Sequence, residues 1–209
     1  TNLGLDIGGE IIAEQHALNI AIDEGATATL NIDGSLTSTN GSAIYASQTV
    51  KDLNITLQNG GSLSGNKAIS MGSEAIASNI TLDGSSSEVS VTGTGGTAIE
   101  LGASDDAISM SGNISIKGNV DAGDGTDSLV LSHASLNLSS TSFDNIETIS
   151  VSNSSITATS GDGLAINNGG ANELDITNSS IASNLGHGIS YSGISGDDFS
   201  LNFGEGNSI

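Results

Sequence analysis

The feature that most constrains this chain is a step of 25 residues at which its apolar pattern recurs. Leu53, Ile55 and Leu57 alternate with Asn54, Thr56 and Gln58, and Ile80 and Leu82 return between Asn79, Thr81 and Asp83. A second marker moves with the first, since Ala43-Ile44-Tyr45 recurs as Ala68-Ile69-Ser70 at the same step of 25. A period in the twenties, built of short alternating strands broken by Gly, Asn, Ser and Asp, predicts a solenoid with one coil per repeat. Leucine-rich repeats are the rival at this length, but they need a regular Leu ladder with a fixed Asn or Cys, which is missing here. The fold expected is therefore all-β, a single-stranded parallel β-helix of about eight coils. Inward Ile and Leu would stack into one core while outward Asn, Thr and Ser form exposed rows. At ~4.8 Å per coil the rod is on the order of 40 Å long.

Composition supports this choice where a globule would contradict it. A 209-residue globule would fill its core with aromatic rings, yet the chain has three Phe, two Tyr and no Trp. A thin solenoid filled by single layers of aliphatic side chains does not need them. Proline is absent, as expected if nearly every strand is central and every N–H is needed for a ladder. Cysteine is absent too, so no disulfide is formed in an oxidising compartment. Disorder is the competing reading of so much Ser, Gly, Asn and Asp. A mean hydropathy of +0.03 and aliphatic residues at a fixed period argue against it.

Charge excludes whole classes of partner. Against 24 acidic residues stand Lys51, Lys67 and Lys117, giving a formal net charge of −21. Such a surface repels phosphate backbones and anionic lipid, so neither nucleic acid nor a membrane surface is an expected partner. No run is apolar and long enough to span a bilayer, and Thr1 opens no basic signal region. This fragment is thus not expected to insert in a membrane, and any export signal or anchor is expected outside it.

Taken in order, residues 1–24 fit the repeat poorly and are expected to form an N-terminal cap or first partial coil. Leu18, Ile20 and Ile22 alternate like a strand there, while Ile11, Ile12, Gln15 and Leu18 suit a short amphipathic turn. Residues 25–209 are expected to form the β-helix and to continue past Ile209. Ile55, Ile80 and Ile114 are expected at equivalent inward positions of successive coils, with Leu57, Leu82 and Ile116 two residues on. Ile44, Ile69 and Ile99 mark another inward row. The step from Ile69 to Ile99 is 30, and its surplus is assigned to turns around Ser85 and Gly95. An inserted loop is expected near 103–106, because Ile114 follows Ile80 by 34 residues. Later, Val151–Ile156 matches Ile176–Ile181 at 25, and Gly163–Ile166 matches Gly186–Ile189 at 23. Phe199, Leu201 and Phe203 open a further strand.

The outward positions Asn54, Thr56 and Gln58, then Asn79, Thr81 and Asp83, then Asn113, Ser115 and Lys117 are expected to stack as one polar ladder. Asn54, Thr56, Asn79, Thr81, Asn113 and Ser115 are the candidate binding residues, through which two rods could pair by many weak hydrogen bonds. A merely solvated face is the competing reading. The Asn-x-Ser/Thr sequons at Asn40, Asn54, Asn79, Asn113, Asn137, Asn153 and Asn178 belong largely to the same alternation.

The segment Gly118–Ile149, in which GDGTDSLVLS is followed by FDNIETI, resembles a phrase common in adhesin-type passenger domains of autotransporters. These are proteins that Gram-negative bacteria export to their surface by the type V route. The resemblance implies a right-handed β-helix displayed at the cell surface or released outside the cell, non-enzymatic, acting in adhesion, self-association or biofilm formation. The implied partners are a second copy on a neighbouring cell or a host surface glycan or protein. No cofactor is implied.

Three other chemistries have partial signatures. Ala122–Leu129, read AGDGTDSL, resembles the calcium-binding nonapeptide of RTX repeats except for Ala at the first glycine. That makes Asp121, Asp124 and Asp127 calcium candidates, although such sites share ligands between tandem copies and one copy is present. A solvated turn is the alternative. Gly161-Asp162-Gly163 with Gly186-His187-Gly188 resembles two signatures of polygalacturonases. Inverting hydrolysis needs a carboxylic acid and a carboxylate base. The position of the second Asp is Gly163, and no lysine or arginine follows Lys117, so the pattern stops where the chemistry would start. A lyase, which needs a cationic base, fits less well. Thr27-Ala28-Thr29, Thr92-Gly93-Thr94 and Thr157-Ala158-Thr159 resemble ice-binding Thr ladders, but they recur only every 65 residues. A carbohydrate-active β-helix enzyme and an ice-binding solenoid therefore stand as alternatives to the adhesin. His16 and His133 are read as surface residues.

Overall fold

The computed structural model describes residues 2–21, 25–46, 50–71, 76–168, 172–193 and 198–209. It is all-β, and every strand pairing in it is parallel and joins one coil to the next. The first coil comprises β1 (Leu3–Ile7), β2 (Glu10–Ala13) and β3 (Leu18–Ile20). The second comprises β4 (Ala26–Ile32), β5 (Ser35–Ser38) and β6 (Ser42–Ala46). The third comprises β7 (Val50–Gln58), β8 (Ser62–Gly65) and β9 (Lys67–Ser70). In the next two coils the chain turns its corners without leaving the ladder, as β10 (Ala77–Glu100) and β11 (Ala107–Asp121). β12 (Ser128–Ser139) and β13 (Phe143–Asp144) follow, then β14 (Thr148–Ser152), β15 (Ser155–Ser160) and β16 (Leu164–Asn168). The last described coil has β17 (Asn172–Thr177), β18 (Ser180–Ser183) and β19 (Ile189–Gly193), and β20 (Phe199–Phe203) starts another.

Three faces result. The first stacks β1, β4, β7, the openings of β10, β11 and β12, then β14, β17 and β20. The second stacks β2, β5, β8, the middles of β10 and β11, the end of β12, then β15 and β18. The third stacks β3, β6, β9, the ends of β10 and β11, then β13, β16 and β19. Strict alternation in strands such as β4, ATATLNI, buries every second side chain, because successive Cβ atoms point to opposite sides of the ladder. Leu30, Ile55, Ile80 and Ile108 form one such inward column, each fully or almost fully buried.

The 25-residue step holds from β1 through β4 and β7 to β10, and again from β14, β15 and β16 to β17, β18 and β19. It fails in the coils between, and from β17 to β20, where Leu174 pairs with Leu201 at 27. Ile55 pairs with Ile80 and Leu57 with Leu82, as the alternation predicts. Ile114 is buried but belongs elsewhere: Ile80 pairs with Ile108, whereas Ile114 pairs with Val89 on the second face. Thirty-four residues separate Ile80 from Ile114 because a full coil, Ile80 to Ile108, and one more corner lie between them, not an inserted loop. Residues 102–106 are an ordinary corner, with Asp124 N–H bonded to the Gly102 carbonyl and Ser128 N–H to that of Asp106. The surplus of the β10 coil does fall around Ser85 and Gly95, where its register shifts against β11.

Residues 3–20, expected as a cap or first partial coil, form three strands of the first described coil, with Leu3 opposite Ala28, Ile11 opposite Leu36 and Leu18 opposite Ile44. Ile11 and Ile12 lie in β2 instead of an amphipathic turn; Ile22 lies outside the described residues. Near the other end Leu164 pairs with Ile189 and Ile166 with Tyr191, a step of 25 in place of the expected 23.

Candidate functional site

The expected ladder divides between two faces. Asn54 stacks on Asn79 and Thr56 on Thr81, but the next members of those rows are Ala107 and Ser109. Asn113 and Ser115 stand on the second face, Asn113 beneath Ser135 and Ser115 between Ser90 and Asn137. The first face carries its own hydrogen bonds along the rod. Asn31 Nδ2 donates to Asp6 at 2.7 Å, Thr27 Oγ1 to Asp52 at 3.1 Å, and Ser109 Oγ to Thr81 Oγ1 at 3.2 Å. Asp83 accepts from the Ser85 N–H and Ser111 Oγ. Hydrogen bonding, from Ser85 above all, holds its carboxyl below the usual range.

The second face differs in charge. Its rows read Ser35, Ser62, Ser90, Ser115, Asn137 and Thr157, with Thr37, Ser64, Thr92, Lys117 and Ser139 beside them. Among the described residues its strands carry three charged side chains, Glu10, Glu88 and Lys117. The outward row of the third face includes Glu100, Asp121 and Asp144. Lys67 pairs with Glu100, and Asn145 and Asn167 donate amide hydrogens at 2.8 Å to Asp121 and Asp144. The Thr triplets do not stack on each other, since Thr27 and Thr29 lie on the first face and Thr92 and Thr157 on the second.

The Gly-Asp turn separates the calcium candidates. Asp124 is exposed, and Asp121 is half-buried with its carboxylate taken by Gly123 N–H and Asn145. Asp127 is buried, with Oδ1 accepting the Asp106 N–H at 2.6 Å. Among the described residues no three His, Cys, Asp or Glu side chains converge as metal ligands do.

The polygalacturonase-like residues do meet. His187 Nδ1 lies 3.2 Å from Asp162 Oδ1, which also accepts the His187 N–H at 2.7 Å. Hydrogen bonds from the Ser190 side chain and then His187 hold the Asp162 carboxyl below its ordinary range. The pair sits on an open corner, where the His187 side chain is 81% exposed. Gly163, at the position of the second catalytic Asp, is buried, and a Cβ there would lie 2.5 Å from the Gly188 carbonyl oxygen and 2.8 Å from Ile181 Cγ2. A side chain has no room at that position. His133 is exposed, as expected. His16 is half-buried instead, its ring stacked on Tyr45 at 4.6 Å and its Nδ1 accepting the Ser42 N–H.

What the sequence reading missed is a set of buried polar residues at the corners: Ser78, Asp106 and Asn172, beside the calcium candidate Asp127, at one, Ser154 and Ser179 at another. Ser78, Asp106, Asp127, Ser154 and Ser179 accept or donate a bond between coils, and Asn172 Nδ2 donates to Tyr191 Oη within its own coil. No family model, curated protein or solved structure matches the chain.

Proposed function

We propose that this chain is a non-enzymatic self-association module of a bacterial cell-surface protein of the autotransporter passenger type, and that copies meet through the second face. The observation that carries the reading is the uneven charge: a chain of net −21 has one face whose strands hold, among the described residues, only Glu10, Glu88 and Lys117 as charged residues. Two rods that approach by the first or third face bring carboxylates together. Two that approach by the second bring together rows of hydroxyl and amide groups, each both donor and acceptor. Each bond adds about 1 kcal/mol or less net, so association is weak and additive along the rod. It strengthens with salt, as the acidic corners are screened. The phrase within Gly118–Ile149 supports the surface location, and the lack of space at Gly163 supports the non-enzymatic reading.

The test is sedimentation velocity across concentration and ionic strength, with two triple variants. Ser62→Asp, Ser90→Asp and Asn137→Asp together should abolish association. Asn54→Asp, Thr81→Asp and Ser109→Asp, on the first face, should leave most of it. Wild type that stays monomeric at every concentration and salt would overturn the self-association reading, and equal loss in both variants would overturn the choice of face.

A further inference from the structure

We propose that the stacked carboxyl groups of Asp106 and Asp127 form a proton-operated latch at the corner between the third and first faces, closed in mildly acidic surroundings and loosened when both ionise. The column they belong to runs Ser78, Asp106, Asp127, Glu147, each directly above the last; Ser78 is the second residue of β10, and the others stand just before a first-face strand segment. Carboxylates of successive coils take the backbone N–H one coil below. Ser78 N–H donates to Asp106 Oδ1 at 2.6 Å, Asp106 N–H to Asp127 Oδ1 at 2.6 Å, and Asp127 N–H to Glu147 Oε2 at 2.7 Å.

The two aspartates are 3% and 1% exposed, and Oδ2 of each is buried without a hydrogen-bond partner. An ionised carboxylate only accepts, and an unmatched oxygen taken from water is costly. The charged groups that face the pair are all acidic: each other, Asp105, and for Asp127 also Glu147. The lysines lie elsewhere, Lys51 beside Asp52, Lys67 beside Glu100 and Lys117 on the second face. With no three metal-ligating side chains converging among the described residues, a proton is the charge-neutralising partner that fits. Protonation also turns Oδ2 into a donor.

Burial raises both carboxyls, Asp106 to about 6 and Asp127 to about 7, against an ordinary 3.8. As adjacent groups they titrate as a pair. Their folded pKa values lie above the unfolded ones, so the folded corner binds more protons. The stability this lends is complete below about pH 4 and is lost as pH rises through about 6 to 7. The latch is independent of the second face, so either can fail alone.

The test is hydrogen exchange at the Ser78, Asp106 and Asp127 amides, as protection factors corrected for intrinsic rates, between about pH 5 and pH 8. Wild-type protection should fall across this range by up to about tenfold per pH unit for each proton released. Asp106→Asn and Asp127→Asn, which keep the acceptor oxygen without the charge, should flatten the fall. Asp124→Asn, which removes an exposed charge nearby, should keep the wild-type slope. If neither buried variant folds, carboxyl carbon NMR titration of the wild type reads the same event, with midpoints well above 4 expected. The latch is overturned by flat wild-type protection, by an unchanged slope in the buried variants, by carboxyl midpoints near 4, or by millimolar calcium restoring protection at about pH 8, which would make the partner a metal ion.

Discussion

Two corners of this rod meet the same need with different chemistry. Where the chain turns from one face to the next, a backbone N–H points inward and needs an acceptor from the adjacent coil. Between the first and second faces the acceptor is a serine: Ala134 N–H donates to Ser154 Oγ at 3.0 Å and Ser154 N–H to Ser179 Oγ at 3.1 Å. Each hydroxyl then donates to the carbonyl two residues back, Ser154 to Ser152 and Ser179 to Thr177. Between the third and first faces Ser78 makes that same backward bond, to Ile76, but the coils above it replace serine with Asp106, Asp127 and Glu147. A hydroxyl accepts and donates at once, whereas an ionised carboxylate cannot donate. The serine corner is therefore complete at any pH, and the acidic corner is complete only when protonated.

The largest expected effect tests whether the corners rest on one common core. Ile80 follows Ser78 by two residues and Ile156 follows Ser154 by two, and both are essentially fully buried. Ile80→Ala and Ile156→Ala should each cost about 2–5 kcal/mol through lost burial and a cavity. Chemical denaturation should give similar losses at about pH 5 and pH 8, because no charge is involved. A loss below about 0.5 kcal/mol at either position would mean that the packing around that corner collapses to fill the space.

A smaller effect separates the two chemistries. Ser154→Ala strands the Ala134 N–H, and Asp127→Ala strands the Asp106 N–H; a buried donor left unmatched costs about 1–3 kcal/mol. For Ser154→Ala the loss should be the same across pH. For Asp127→Ala it should shrink as pH rises through about 7, since the wild type there already bears the ionised group and the variant removes it. Parallel pH profiles for the two variants would show that both corners are electrically equivalent.

The fold was legible because the inward aliphatic residues repeat at 25 wherever corners are alike, as from Ile55 to Ile80 and Ile156 to Ile181. It misled where the corners change length. From Ile80 to Ile108 the step is 28 and from Ile108 to Leu129 it is 21, so a search at 25 passed over Ile108 and chose Ile114. That single slip carried Asn113 and Ser115 onto the wrong face. The acidic column left a readable trace that was not used: Asp106, Asp127 and Glu147 each precede an inward aliphatic residue by two, Ile108, Leu129 and Ile149. Alternation therefore directs their side chains inward. That Asp162 and His187 share a corner was legible from their spacing of 25, the repeat itself, whereas their hydrogen-bonded geometry depends on the shape of the two stacked corners.

The smallest effect concerns the left-handed turns that let each corner close. At the serine corner Asn153 and Asn178 hold φ of 50° and 49°, and Gly206 takes the position one coil on at 77°. Asparagine tolerates this region better than most residues, and its side chain adds an exposed bond, Asn178 Nδ2 to Asn153 Oδ1 at 2.7 Å. At the acidic corner Gly123 has φ of 91°, and a Cβ there would lie 1.9 Å from the Gly102 carbonyl oxygen. One corner thus has open space outside its turn and the other has backbone. Asn178→Gly should change stability by no more than about 0.5 kcal/mol, as relief at φ offsets the lost exposed bond and the freer unfolded chain. Asn178→Ala should cost about 1–2 kcal/mol, because the left-handed strain remains. Gly123→Asn should cost more than either, since the backbone of the coil below must move. If Gly123→Asn proves as mild as Asn178→Gly in denaturant unfolding, the acidic corner is as open as the serine corner and the steric contrast between them fails.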